Sequence, residues 1–195
     1  HRFPAAAEDC YAAAREVFLH SGLLGARPED IVLFGDSAGG NLAAAVSLMA
    51  RDRGEFLPRR QILIYPAVGN DHSEDSIFPS VRENGTGYLL TSKRVRDFFA
   101  LYRAKEEDLE NPYFAPLAAK TLENQPDTLL ITAEFCPLRD EGEAYGERLR
   151  EAGSYVEIHR VPDALHGYFS LPVWFKQVQR TYAMINAFLE ENYER

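Results

Sequence analysis

Two short stretches of the sequence hold residues that could do chemistry together. One is Gly35-Asp36-Ser37-Ala38-Gly39 and the other is Asp163-Ala164-Leu165-His166-Gly167. In a G-x-S-x-G turn the serine sits at the apex, with its hydroxyl clear of the backbone and free to attack a carbonyl carbon. Glycine two positions to either side avoids collision with the flanking strand and helix. A histidine that follows in the chain can take the hydroxyl proton and make a weak nucleophile competent. The amide of Ala38, at the start of the next helix, can donate to an oxyanion, with the positive end of the helix dipole behind it.

These residues need elements to hold them. Residues 31–34 are apolar and largely β-favouring, and they run straight into the turn. Residues 41–51 follow with an alanine-rich helical pattern. Upstream, Pro4 suits the first turn of a helix over residues 5–20, with Tyr11, Ala14, Val17 and Phe18 as its apolar stripe. Downstream, short strands are predicted at 61–65, 128–133 and 155–161. Helices are predicted at 91–104, 138–152 and 173–193, the last burying Val178, Tyr182, Ile185, Phe188 and Leu189. Residues 69–87 carry turn formers and charges and read as a long surface loop of the kind that walls a site. Strands alternating with helices predict an α/β fold, a parallel sheet with helices on both faces. In such folds site residues gather at the C-terminal ends of strands. Ser37, residues 69–71, Cys136 and His166 all stand there.

At 195 residues and 46% hydrophobic, the chain can bury the core of one domain. A net charge of −9 argues against nucleic acid or an anionic membrane as partner. No apolar run is long enough to span a membrane, and nothing reads as a signal peptide. The two cysteines, Cys10 and Cys136, form no disulfide framework and suit a reducing, cytoplasmic setting. No histidine is spaced with another ligand as a metal site requires, so no metal is expected. The chain starts at His1 without an initiator methionine and goes directly into a helical pattern, which suggests sequence upstream.

Several runs in order, FPAA, GDSAGGNLAAA, QILIYPA, NPYFAPL, TLLITAEFCPLRDEGEAYGERLREAG and DALHGYF, resemble the hormone-sensitive-lipase-like carboxylesterases of the α/β-hydrolase fold. The likeness extends over nearly the whole chain. It implies a serine carboxylester hydrolase acting on short- to medium-chain acyl esters through an acyl-enzyme, with no cofactor. By position, Ser37 matches the family nucleophile, His166 its general base and Ala38 N–H one oxyanion donor. The resemblance also implies that residues 1–195 form a single, partial domain, with 70–110 contributing to the site wall or cap.

Two departures stand out. The family places an aspartate at the head of D-P-L-x-D-E, where this chain has Cys136. A thiol is a weak hydrogen-bond partner and usually neutral. Asp140, about one helical turn further on, is the leading substitute for the acid, with Asp71 and Glu134 as alternatives. The family's H-G-G-G oxyanion loop, first strands and much of its cap lie before the FPAA run, and no H-G-G-G occurs in this sequence. The open sheet edge this would leave is compatible with a homo-oligomer. Both departures also support an alternative, a non-catalytic module that binds a small apolar ligand or a partner. Phe78, Tyr88, Leu138, Tyr168 and Phe169 are expected to line the pocket.

Overall fold

The structure, a computed structural model, describes residues 1–191. Its centre is a four-stranded parallel sheet in the order β1 (Val32–Asp36), β2 (Arg60–Ile64), β3 (Asp127–Phe135) and β4 (Val156–Leu165). The helices are α1 (Ala5–Leu19), α2 (Ala38–Arg53), α3 (Pro79–Glu83), α4 (Ser92–Tyr102), α5 (Arg139–Glu151) and α6 (Lys176–Glu191). Alternation along the strands separates two cores. Leu63 and Leu130 pack with Ala44 and Leu48 of α2 and Tyr145 and Leu149 of α5. Ile62, Ile64, Leu129 and Ile131 point the other way, to Val178, Ile185 and Phe188 of α6. The inner strands are covered on both faces, so their middles are apolar, and the buried Gln61 and Thr128 pair with each other, Gln61 Nε2 donating to Thr128 Oγ1 at 2.9 Å. α1 lies outside α2 and joins Tyr11 and Phe18 to Val46 and Met49.

Three sequence expectations change. The loop 69–87 contains the short helix α3, started by Pro79. α6 begins at Lys176, three residues later than expected, and Tyr182 is 45% exposed, resting against the Phe169 ring rather than in the core. The far end of the expected helix, at Tyr193, lies outside the described residues. β4 continues to Leu165 through an irregularity. Ala133 pairs with Val161 and Phe135 with Leu165, so β4 takes a longer path than β3 over the same rise. Asp163 has φ +55°, and its N–H donates to Glu134 Oε2 at 2.7 Å. This bulge, at the strand end that carries His166, redirects the chain beside the site.

Within the expected surface loop 69–87, His72 is buried rather than exposed. Its side chain and that of Glu141 are both 0% exposed, with Nε2 2.7 Å from Oε2 but out of line for a straight hydrogen bond. The other carboxylate oxygen accepts from Val68 N–H at 2.9 Å and Gly69 N–H at 3.0 Å. Glu141 thus ties the segment after β2 to the start of α5. The His72 ring also meets Phe99 of α4 edge-on at 5.1 Å. Removing this carboxylate strands two buried amides and an imidazole. Glu141→Ala is therefore expected to lower unfolding free energy by about 3–5 kcal/mol in urea titrations. A loss under about 1 kcal/mol would show that the segment is anchored elsewhere.

Candidate active site

The turn between β1 and α2 sets the serine. Ser37 has φ +53° and ψ −117°, a strained conformation for a residue with a side chain. Its N–H donates to Ile64 O at 2.9 Å, which pins the turn to the neighbouring strand. Gly35 is obligatory, since a Cβ there would lie 2.1 Å from Gly39 O. The expectation for Gly39 is not met. A Cβ there would have only Asp36 Oδ1, at 4.0 Å, within reach. The crowded partner is Gly40, where a Cβ would be 2.9 Å from Pro66 Cβ. As the first helical residue, Ala38 has no acceptor within α2 for its N–H, and the dipole of α2 ends there.

His166 follows β4 directly. Ser37 Oγ lies 2.8 Å from its Nε2. On the opposite side of the ring, Nδ1 lies 3.2 Å from Cys136 Sγ. Cys136 is fully buried, and among the described residues the other polar contact of its sulfur is Leu138 N–H, donating at 3.4 Å. Burial pushes the Cys136 thiol up to about 12, so it carries no charge near neutrality. Burial also lowers His166 to about 4, with the charge of Asp36 working in the opposite direction.

None of the three carboxylates weighed as acids is placed to serve Nδ1. Asp140 Oδ2 accepts from Ser80 N–H at 2.7 Å, and Oδ1 from Arg139 Nε–H at 2.7 Å. Burial works against its charge, but Arg139 and Ser80 outweigh burial and hold the carboxyl below its ordinary range. The start of α5 turns Asp140 toward α3, away from β4. Asp71 caps its own loop by accepting from Ser73 N–H at 2.9 Å. Glu134 is taken up by the β4 bulge.

An apolar cavity of about 590 Å³ opens onto Ser37, Ala38 and His166. Leu89, Leu90, Val95, Phe98, Phe99, Phe114 and Leu138 line it, and Arg94 is its charged member. Of the expected lining residues only Leu138 is there. Phe78, Tyr88, Tyr168 and Phe169 lie elsewhere, with Tyr88 stacked on Phe135 and Phe169 on the Phe34 side. Much of the wall comes from α4, through Arg94, Val95, Phe98, Phe99 and Tyr102. Two further residues escaped sequence reading. Tyr65 packs on the His166 ring at 4.6 Å between centroids, and its hydroxyl donates to Asp36 Oδ2 at 3.0 Å. Among the described residues, no helix is long and apolar enough to cross a membrane.

Comparison with known proteins points in one direction. The profile of a family described as alpha/beta hydrolase fold matches residues 1–170. The chain is 41% identical over 170 residues to the esterase LipI of Mycobacterium tuberculosis, covering 86% of this chain and 52% of that protein. It is 38% identical over 192 residues to an arylesterase of Saccharolobus solfataricus, covering 98% of this chain and 60% of that protein. Among solved structures, a hyperthermophilic esterase from Pyrobaculum calidifontis superposes with a TM-score of 0.90 at 38% identity, over 99% of this chain and 63% of the other. The chain thus spans between about half and three-fifths of the length of these relatives.

Proposed function

The chain belongs to the alpha/beta hydrolase fold family, and from that premise we propose that it works as a serine carboxylester hydrolase on short- to medium-chain acyl esters. The observation that carries this reading is the 2.8 Å approach of Ser37 Oγ to His166 Nε2 at the mouth of the apolar cavity. In this reaction the Ser37 proton passes to Nε2 as Oγ bonds to the ester carbonyl carbon, and the carbonyl electron pair moves onto oxygen. Ala38 N–H donates to that oxyanion. His166 then protonates the departing alkoxide, and water deprotonated by His166 releases the acid from Ser37. The acyl chain lies along Leu90, Val95 and Phe99, where each buried methylene contributes about 0.8 kcal/mol. The unpaired cysteines Cys10 and Cys136 support work in the cytoplasm.

A fluorophosphonate tests the reading on the 195-residue chain. The expected result is one covalent adduct, on Ser37, located by peptide mass. A folded chain that stays unlabelled overturns the proposal.

The pH dependence follows from His166. The general base must be neutral in the free enzyme, and burial holds its pKa at about 4. The acidic limb of kcat/KM is therefore expected near pH 4 rather than near the ordinary histidine value of about 6.5. Stability has its own window. Between pH 6.5 and 4 the unfolded histidine binds a proton that the folded one refuses, so acidification through that range lowers unfolding free energy. A kcat/KM limb near pH 6.5 would mean that the ring is hydrated in solution.

A further inference from the structure

His166 meets two different neighbours. Nδ1 faces the uncharged Cys136 thiol. The Tyr65 ring packs against the imidazole, 4.6 Å away between centroids with the planes tilted by 55°. The phenol of Tyr65 donates to Asp36 Oδ2 at 3.0 Å, linking the ring to a carboxylate on the residue before the nucleophile. Tyr65 is 1% exposed and has φ +36°, a left-handed conformation that a bulky residue rarely adopts. Its N–H donates to Ile131 O at 2.6 Å, and its ring meets Tyr168 edge-on at 5.5 Å. Strain of this kind persists only where the surroundings enforce it. Here the enforced result is an aromatic ring packed, at a tilt, against the general base.

We propose that Tyr65 and Asp36 act as positioning residues that stabilise the imidazolium of His166 through this ring contact, where Nδ1 meets a thiol and no carboxylate. The proposal rests on the reading of Ser37 and His166 as nucleophile and base. As Ser37 gives its proton to Nε2, positive charge develops on a ring that lies 4.6 Å from the Tyr65 ring between centroids. An aromatic face attracts a cation, the more so when desolvated. The hydrogen bond to Asp36 leaves more electron density on the phenol, and the carboxylate adds its own charge. Tyr65 keeps its proton throughout, since burial and the neighbouring Asp36 both raise its pKa. The other polar groups near the ring are Ser37 from the turn after β1, Cys136 from the segment after β3, Tyr168 from the turn after His166, and Arg94 of α4 on the cavity wall. Asp36 is the carboxylate among the described residues whose charge favours the imidazolium.

The test places Asp36→Asn and Tyr65→Phe separately in the natural chain and in a Cys136→Asp background. Two readouts are taken: kcat on a short acyl ester, and the His166 titration by imidazole NMR. In the natural chain, Asp36→Asn is expected to cost about tenfold in kcat and to move the His166 midpoint to lower pH. Tyr65→Phe, which keeps the ring and removes the link, is expected to cost about threefold. With an in-plane carboxylate at position 136, each loss is expected to shrink below about twofold, because the charge is already compensated. Equal losses in both backgrounds, or an unmoved His166 midpoint, overturn the proposal. Should Asp36→Asn fail to fold, the Tyr65→Phe pair decides alone. If no form of the chain hydrolyses an ester, the hydrolase reading fails, while the His166 titration still decides whether Tyr65 and Asp36 hold the imidazolium.

Discussion

Cys136→Asp is expected to raise kcat/KM for a short acyl ester by about 10² to 10⁴. The reason lies in which nitrogen of His166 holds the proton. The Cys136 thiol beside His166 Nδ1 can donate its S–H or accept at sulfur, so it does not hold one tautomer. It leaves open the form with the proton on Nε2, the nitrogen that must be bare to receive the Ser37 proton. An ionised carboxylate removes that form, since it only accepts. It fixes Nδ1–H and then stabilises the imidazolium that forms. The substitution also fits the space. A carboxylate oxygen reaches further from Cβ than a thiol sulfur, and the present Sγ–Nδ1 distance of 3.2 Å leaves room for that reach. Leu138 N–H remains as a donor to the new group. Burying a charge at a fully enclosed position has a cost, so the variant is expected to gain rate and lose thermal stability together. Steady-state kinetics and a melting curve on the same preparation check both. An unchanged or lower rate in a folded variant would show that the histidine tautomer is not what limits this chain.

The second prediction depends on the first. Ser37→Ala is expected to bring ester hydrolysis to background and to abolish fluorophosphonate labelling. The size of the loss depends on residue 136. Nucleophile, base and acid act as a unit, and the penalties for removing them do not add. Where the acid is already missing, much of the unit's rate advantage is already gone, and Ser37→Ala is expected to remove about the last 100-fold. In the Cys136→Asp background the same change is expected to cost about 10⁴ to 10⁶. Running both backgrounds side by side turns one substitution into a measure of how complete the site is. Turnover that survives Ser37→Ala in either background would rule out the serine mechanism.

The fold was legible because its signals are local. Strand 31–34, the glycine turn and the alanine-rich helix follow one another without a gap, and each neighbour confirms the next. The serine and histidine were legible for the same reason, since each stands just past a strand, an apolar one for Ser37 and an alternating one for His166. The acid was not. Asp140, Asp71 and Glu134 are all close in sequence to the right strand ends, and only the direction of each side chain separates them from use. Ser80, Ser73 and Asp163 N–H claim them, and those partners lie on α3, a loop and the β4 bulge. His72 looked like a surface residue because its neighbours are polar, yet tertiary packing buries it against Glu141. Tyr65 read as the last residue of an apolar strand. Its left-handed backbone, which turns it onto His166, leaves no trace in composition or periodicity.

The placement of the turn's glycines bears on how such sites are searched for. Steric demand falls on Gly35, facing the backbone of Gly39, and on Gly40, facing Pro66. The residue at 39 has free space around its α-carbon. A pattern written as glycine, two residues before the serine, and glycine, two after, therefore fixes one position by contact and another by habit. A pattern that instead required a small residue three after the serine, together with the proline that closes the next strand, would encode the contact itself. It would also retain divergent sequences in which position 39 has drifted to alanine or serine while the serine hydroxyl stands where it does here.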